Sequence, residues 1–249
     1  FDTVKDADVI ICDAGPSILP GQYERLKLAK ENVKNITEIM TEVVKYNTDA
    51  ILIMITNPLD VTTYLAATKF GWKHGRLFGT GTTLETLRFK YILSRHFDVN
   101  PQDIQGYMLG EHGNSAFPAW STVSIGGIRL NDLHNYFPEV KLDRELIHKQ
   151  VVKTAYEVMD AKGWTNTGIA SGAIRLAQAV FFDEKAVVPV SVPLTGEYGL
   201  KDVALSLPSV VGKDGVEKRL ALPLPEDELE LLYKSSECIK EVLRASNLI

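Results

Sequence analysis

The sequence is poor in cysteine, in long apolar runs and in excess positive charge, and each shortage argues against one class of protein. Only Cys12 and Cys238 occur, far apart and outside any CxxC motif, so neither a disulfide scaffold nor a cysteine zinc site is expected. The longest apolar runs, such as residues 50–55, are too short to span a bilayer. Lys and Arg total 27 against 32 Asp and Glu, and no basic stripe indicates a nucleic-acid binder.

The composition that is present predicts a globular enzyme. Of the 249 residues, 45% are hydrophobic and 24% are charged, which is enough for a large core in one or two domains. The first residues do not follow the basic-then-apolar order of a signal peptide. We therefore expect a soluble cytoplasmic protein.

Apolar periodicity changes near Thr82 and divides the chain there. Before this point, short β-branched runs alternate with helical stripes, which predicts parallel strands joined by right-handed crossovers. The strands are expected at residues 7–15, 50–56 and 76–79, and the helices at 25–47 and 61–70. This half, residues 1–82, is predicted to be a partial dinucleotide-binding domain that holds only the later strands.

The second half, residues 83–249, is predicted to be a catalytic or substrate domain with antiparallel strands. Helices are expected at 84–96, 144–161, 167–182 and 226–245, and strands at 104–130, 187–194, 203–211 and 217–222. The predicted fold class is α/β: the C-terminal half of a Rossmann-type parallel sheet, followed by an α+β domain.

The helix expected after Gly81 carries an arginine on its predicted apolar face. Thr82 and Glu85 match a capping box, in which both side chains close the first helical turn. Arg88 shares the face formed by Leu84, Leu87, Tyr91 and Ile92. A guanidinium on such a face needs an anion, which is either Glu85 one turn earlier or the carboxylate of a ligand.

Three further residues are candidates for chemistry. His112 lies between glycines, where its ring is accessible, and imidazole titrates near neutrality, as proton transfer requires. Asn57 ends a buried strand at its carboxyl edge, where ligands of open α/β sheets bind. Arg25 follows a loop rich in proline and glycine and has the position of a lid residue. A surface histidine, a turn residue before Pro58 and a solvated arginine are the alternatives.

Taken together, these segments resemble the L-lactate/malate dehydrogenase family over essentially the whole chain. The matching segments, in order, are Ile-Thr-Asn-Pro-Leu-Asp at 55–60, Gly-Thr-Gly-Thr-Thr-Leu-Glu-Thr-Leu-Arg at 79–88 and Gly-Glu-His-Gly-Asn-Ser at 110–115. The likeness is greatest to the L-lactate and L-2-hydroxyisocaproate branches. The family's amino-terminal, glycine-rich half is not found, so the sequence is expected to begin at the fourth strand.

The resemblance implies hydride transfer between an L-2-hydroxy acid and NAD in a homodimer or homotetramer. His112 would be the acid/base, Glu85 stands where the family usually has the aspartate that orients it, Arg88 would hold the substrate carboxylate and Arg25 would polarise the carbonyl. The remaining residues implied for the substrate are Asn57, Thr165 and Ile18, and those implied for the cofactor are Gly15, Pro16, Thr56, Asn57, Thr80 and Ile169. No metal is expected.

The substrate is expected to be lactate or a branched 2-hydroxyisocaproate-like acid. Ile18 falls where the family selects its substrate, and an apolar side chain there disfavours a second carboxylate. The bulky run Ala119-Trp120-Ser121 favours the larger substrate. A malate dehydrogenase and a non-catalytic or truncated relative remain alternatives. An NAD-dependent glycosidase would need a metal held by cysteine and histidine, and Cys12 and Cys238 lie outside the His112 segment.

Overall fold

The computed structural model describes residues 1–16 and 25–249, and the side chains of residues 1–16 and 28–249. The helices in this part of the chain are α1 Arg25–Val43, α2 Leu59–Lys69, α3 Thr83–Phe97, α4 Arg144–Lys162, α5 Thr167–Phe181 and α6 Glu226–Ala245. The strands are β1 Val9–Cys12, β2 Ile51–Met54, β3 Leu77–Gly79, β4 Ile104–Leu109, β5 Phe117–Ile125, β6 Ile128–Arg129, β7 Ala186–Thr195, β8 Lys201–Gly212 and β9 Gly215–Arg219.

The described strands form two sheets, as the predicted fold class requires. β1, β2 and β3 pair in parallel, and β2 is buried along its whole length. A continuous apolar strand of this kind is typical of a parallel sheet covered on both faces. β4, β5 and β6 form a separate antiparallel sheet. The predicted α/β fold, with antiparallel strands in the second half, is confirmed.

The sequence did not predict that the parallel strands and the late meander share one sheet. The strand order is β1-β2-β3-β7-β8-β9, and β3 meets β7 where Gly79 lies opposite Ser191. A Cβ on Gly79 would collide with Oγ1 of Thr63 in α2 and would crowd Cβ of Ser191 in β7, so glycine lets β3 lie close to both elements. The boundary predicted near Thr82 therefore lies between two strands of the same sheet, and it stays a prediction.

The meander was predicted correctly except at its last strand. β9 begins at Gly215, whose φ of +84° suits the hairpin turn, and it ends at Arg219. The strand therefore begins two residues earlier than the alternation at 217–222 indicated. The turn sets the register, because the strand pairs directly from Gly215 opposite Gly212.

The apolar face predicted for α3 is wrong. Phe89, Leu93 and Phe97 are buried, whereas Leu87 and Tyr91 are 50% and 59% exposed. The buried residues recur every four positions and pack in one core cluster with β4, β5 and α4. The helix has apolar residues on two sides, and its larger aromatic stripe faces the core. This orientation places Glu85 and Arg88 beside the histidine loop.

Candidate active site

The carboxyl ends of the three parallel strands carry most of the residues implied for the cofactor. Gly15 and Pro16 follow β1, Thr56 and Asn57 follow β2, and Thr80 follows β3. Oγ1 of Thr56 donates a hydrogen bond to the carbonyl of Ala14 at 2.8 Å, which ties the first two ends together. The structure therefore brings these five residues to one edge of the sheet, where open α/β folds bind ligands.

Asn32 of α1 fixes the geometry of that edge. Its side-chain amide donates to the carbonyl oxygens of Pro16 at 2.9 Å and Asn57 at 2.6 Å, and the residue is fully buried. A Cβ on Gly15 would collide with Oδ1 of Asn32, and Gly15 has a φ of +120° that favours glycine. Glycine at position 15 therefore lets the loop after β1 lie against α1.

The central feature of the site is a contact between His112 and Glu85. Nδ1 of His112 lies 2.8 Å from Oε1 of Glu85, and the two side chains are 21% and 11% exposed. The contact departs from hydrogen-bond alignment, and Oε2 of Glu85 has no hydrogen-bond partner among the described residues. The pair is thus a close but imperfectly aligned ion pair, in which solvent or a ligand reaches the ring.

The two groups change each other's pKa. Burial is the largest single effect on His112 and would lower its pKa, but the charge and contact of Glu85, together with the charges of Asp60 and Glu111, outweigh burial and raise the pKa to about 9. Burial is also the largest effect on Glu85 and would raise its pKa, but the imidazolium, a backbone hydrogen bond and Arg88 together outweigh it, and the net shift is downward. The imidazole therefore stays protonated at neutral pH, next to an ionised carboxylate.

The capping box predicted from Thr82 and Glu85 is wrong. Oγ1 of Thr82 donates to the carbonyl of Met108 at 2.5 Å, and no side-chain cap closes the start of α3. Glu85 contacts His112 instead. The motif considers only residues within one helical turn. The actual partners of Thr82 and Glu85 lie in β4 and in the loop after β4.

Arg88 lies one turn after Glu85 and is half-buried. Burial lowers the pKa of its guanidinium, and the charge of Glu85 partly offsets this effect. No hydrogen bond or ion pair within 4.0 Å joins Arg88 to another described residue, so the predicted alternative of a Glu85–Arg88 ion pair is not formed. The N–H donors of Arg88 are therefore available for an anionic ligand that binds next to Glu85 and His112.

The loop that carries His112 is anchored at the two residues that precede the histidine. Gly110 exchanges backbone hydrogen bonds with Ser206 of β8, and the backbone N–H of Glu111 donates to Oγ of Ser235 at 2.7 Å. A Cβ on Gly110 would clash with the Ser235 side chain, and Gly110 has a φ of +88°. Glycine before the histidine therefore allows α6 to approach the loop closely.

Several predicted residues lie apart from this pair or outside the described residues. Thr165 is exposed between α4 and α5, and Ile169 is half-buried in the first turns of α5. Gly168 packs against Leu84 of α3, which brings the start of α5 near the site. Ile18 and the side chain of Arg25 lie outside the described residues.

Residues 119–121, expected from the sequence to favour a larger substrate, have packing partners elsewhere in the fold. Ala119 is fully buried in the core, and Trp120 packs edge-on against Phe89 at 5.1 Å with Arg144 over its other side. Ser121 donates to Glu228. These residues stabilise β5 against its neighbours, so the bulk of Trp120 gives no information about substrate size.

The residues present fit a nicotinamide dinucleotide at the strand ends. Oγ1 of Thr80 is buried and has no hydrogen-bond partner among the described residues, so it can donate to a bound group. The backbone of Gly15 is exposed and lacks a side chain, which allows a cofactor to approach closely. Both features lie on the same edge as Asn57.

Sequence reasoning missed Asp60, Asn32 and Ser191. Each is buried and polar, and each forms side-chain hydrogen bonds to residues distant in sequence. One indication of Asp60 was present in the sequence: it is the acidic residue in the first turn of α2, a helix that begins with mostly apolar or small side chains.

The described residues hold neither a metal-binding cluster nor a membrane-spanning helix. No group of three or more His, Cys, Asp or Glu side chains in that part of the chain is placed to hold a metal ion. Within the same residues, none of the helices combines the length and apolarity needed to cross a membrane.

Comparison with known proteins gives the same family for both halves of the chain. The family model described as lactate/malate dehydrogenase, NAD binding domain, matches residues 1–79, and the one described as the alpha/beta C-terminal domain matches residues 82–247. An L-lactate dehydrogenase of Selenomonas ruminantium is 46% identical over 245 residues, which are 98% of this chain and 77% of that protein.

Solved structures share the fold as well as the sequence. A lactate dehydrogenase from a Medee basin deep-sea metagenome library matches with a TM-score of 0.93 at 32% identity, over 99% of this chain and 79% of its own. The minor L-lactate dehydrogenase of Enterococcus mundtii matches with a TM-score of 0.91 at 34% identity, over 98% and 77% of the two chains. The chain belongs to the lactate/malate dehydrogenase family.

Proposed function

We propose that this chain reduces pyruvate to L-lactate and catalyses the reverse oxidation. Its family makes it an NAD-dependent oxidoreductase that interconverts a 2-hydroxy acid and a 2-keto acid. The observation that carries the proposal is the His112–Glu85 contact at 2.8 Å, one helical turn from the available guanidinium of Arg88. A proton carrier beside a carboxylate anchor is what reduction of a 2-keto acid needs.

Each residue of this group has a separate role. The His112 imidazolium gives its proton to the carbonyl oxygen of the keto acid, and the ionised Glu85 stabilises the imidazolium beforehand. Arg88 binds the substrate carboxylate through two parallel hydrogen bonds. Arg25 is assigned the stabilisation of the negative charge that develops on the reacting oxygen, as the family resemblance implies. Bound NADH supplies the hydride.

The cofactor and the remaining substrate contacts are assigned to the edge formed by the strand ends. Residues 1–82 form the cofactor-binding part, with Gly15, Pro16, Thr56, Asn57, Thr80 and Ile169 around the dinucleotide. Residues 83–249 form the substrate-binding part. Asn57 is assigned to both the cofactor and the substrate, and Thr165 and Ile18 are assigned to the substrate. Support comes from the convergence of β1, β2 and β3 and from the free hydroxyl of Thr80.

Pyruvate is preferred over larger and dicarboxylic substrates in this proposal. The relatives found by comparison are named L-lactate dehydrogenases, and the argument from Trp120 for a larger substrate no longer applies. Ile18 offers no positive charge to a second carboxylate, and an unpaired buried carboxylate is strongly disfavoured. 2-Hydroxyisocaproate dehydrogenase is therefore the second candidate, and malate dehydrogenase is the third.

A substrate panel tests this choice. We expect kcat/KM, measured by NADH oxidation, to be highest for pyruvate, lower for 2-ketoisocaproate and lowest for oxaloacetate. In Ile18→Arg the added guanidinium pairs with the second carboxylate, and oxaloacetate should gain about tenfold or more relative to pyruvate. Preference of the unmodified chain for oxaloacetate would contradict the proposal, and Ile18→Ala serves as the uncharged control.

The pH dependence follows from the raised pKa of His112. Reduction needs the protonated imidazole, so kcat/KM for pyruvate should be level below a pH of about 9 and fall above it. Oxidation of lactate needs the neutral ring, so kcat/KM for lactate should rise with pH up to about the same value. Initial rates in both directions over one pH series measure this. A reduction profile that falls near pH 6.5 would contradict the pairing with Glu85.

The exposed face of α5 carries large apolar side chains that bear on assembly. Ile174 and Phe181 lie seven residues apart on the exposed face of α5, and they are 56% and 62% exposed. Large apolar side chains on one helix face suit contact between copies, so we propose a homodimer or homotetramer. We also propose a cytoplasmic location, because the reaction uses NAD and a small acid.

A further inference from the structure

A second carboxylate reaches His112 from the side of its backbone. Oδ2 of Asp60 accepts a hydrogen bond from the His112 backbone N–H at 2.7 Å, and Oδ1 accepts one from Oγ of Ser191 at 2.5 Å. Asp60 is 1% exposed. This carboxylate thus joins the start of α2, the middle of β7 and the histidine loop, which are distant from one another in the sequence.

Asp60 is a buried carboxyl group that forms no ion pair with a lysine or arginine among the described residues, and its location accounts for this. It lies in the first turn of α2, where backbone N–H groups favour an anion, and its two oxygens accept from two donors. Burial raises the pKa of Asp60 to about 7, and the hydrogen bonds from Ser191 and His112 limit that rise. Such an arrangement is unfavourable by itself, so a core that needed only stability would gain more from an apolar residue here.

We propose that Asp60 is a positioning residue of the active site: it holds the backbone of His112 so that the imidazole lies against Glu85. The inference rests on the proposed function, in which His112 transfers the proton. Asp60 touches neither the reacting atoms nor the imidazole nitrogen of the ion pair. It acts through the His112 backbone and through its charge.

The carboxylates around His112 come from three elements and have different contacts. Glu85 of α3 lies against Nδ1, Asp60 of α2 binds the backbone N–H, and Glu111 of the loop itself accepts from Ser115. All three raise the pKa of His112, and Glu85 has the largest effect of the three. Removing Asp60 should therefore shift the titration of His112 less than removing Glu85.

Two substitutions separate the position of the carboxylate from its charge. Asp60→Asn keeps an oxygen for the His112 N–H, and its amide can donate to the Ser191 hydroxyl, which accepts as well as donates. Asp60→Ala removes both contacts. We expect kcat for pyruvate to fall about threefold in Asp60→Asn and about thirtyfold in Asp60→Ala, because small displacements of a catalytic group are costly. KM should change little, because Arg88 is unaltered.

The chain offers a matched control for a merely structural role. Glu228 of α6 is also buried, and it accepts from the backbone N–H of Ser121 at 2.8 Å and from the Ser121 hydroxyl at 2.5 Å. Glu228→Ala likewise removes two hydrogen bonds to a buried carboxylate, but these bonds join α6 to β5. We expect it to lower thermal stability without the loss of kcat per folded molecule. Equal kcat losses in Asp60→Ala and Glu228→Ala would overturn the proposal.

A spectroscopic readout keeps the test independent of turnover. The Cε1–H resonance of His112, assigned by its absence in His112→Gln, should titrate at lower pH in both variants, because both remove the charge, and it should move further in Asp60→Ala, which also removes the contact with the backbone. An unchanged resonance in Asp60→Ala would overturn the inference even if the chain acts on another substrate. If Asp60→Ala does not fold, Ser191→Ala removes the second anchor of the carboxylate and should cause a shift in the same direction. No shift there would overturn it as well.

Discussion

Replacing Glu85 by glutamine is expected to lower turnover of pyruvate by about a hundredfold or more at neutral pH. Glutamine keeps the size of the side chain and removes its charge, which is the main cause of the raised pKa of His112. Burial of the ring is then opposed only by the charges of Asp60 and Glu111, so the pKa of His112 falls. Most molecules would hold a neutral imidazole at pH 7 and would have no proton to give to the keto acid. Rates of NADH oxidation at saturating pyruvate measure the loss.

Glu85→Asp is the matched variant for the charge itself. Aspartate keeps the negative charge but is one methylene shorter, so it should retain most of the turnover, with a loss below about tenfold. The midpoint of the reduction profile should stay above pH 7 in Glu85→Asp and drop below it in Glu85→Gln. Equal losses in the two variants, with unchanged profiles, would show that Glu85 serves only the packing of α3. Thermal unfolding of both variants checks that the folded state is intact.

The order of elements was predictable because their signals are local. The buried runs that became β1 and β2 and the apolar stripe of α1 needed no information from distant residues. The union of the meander with the parallel strands was not predictable from periodicity. This union depends on the pairing of Gly79 in β3 with Ser191 in β7. A single glycine does not indicate which distant strand it will pair with.

The site was only partly predictable for the same physical reason. The spacing of Glu85 and Arg88 on one helix, and the accessible ring of His112, pointed to the chemistry before any contact was known. Spacing along the helix predicted a capping box for Glu85, and only the family resemblance implied that its partner is His112. Asp60 was missed because both of its donors come from other elements.

Substitution of Arg88 by glutamine is expected to weaken substrate binding more than any other single change proposed for the substrate pocket. The guanidinium is half-buried and has no ion-pair partner within 4.0 Å among the described residues, so the substrate carboxylate is its natural counterion. Removing one partner of a buried charge pair costs roughly 2–5 kcal/mol, so KM for pyruvate should rise by about thirtyfold to a thousandfold or more. Because His112 and Glu85 stay in contact, kcat at saturation should fall much less.

Arg88→Lys separates charge from geometry. Lysine keeps the charge but loses the planar pair of donors, so its KM should lie between those of the unmodified chain and Arg88→Gln. Free guanidinium added to Arg88→Gln should restore part of the activity, because it can occupy the vacated space beside α3. Arg95→Gln, an exposed position on the same helix, should leave KM unchanged. If Arg88→Gln lowered kcat and left KM as it was, the guanidinium would act on the His112–Glu85 pair, and the carboxylate of the substrate would have to bind elsewhere.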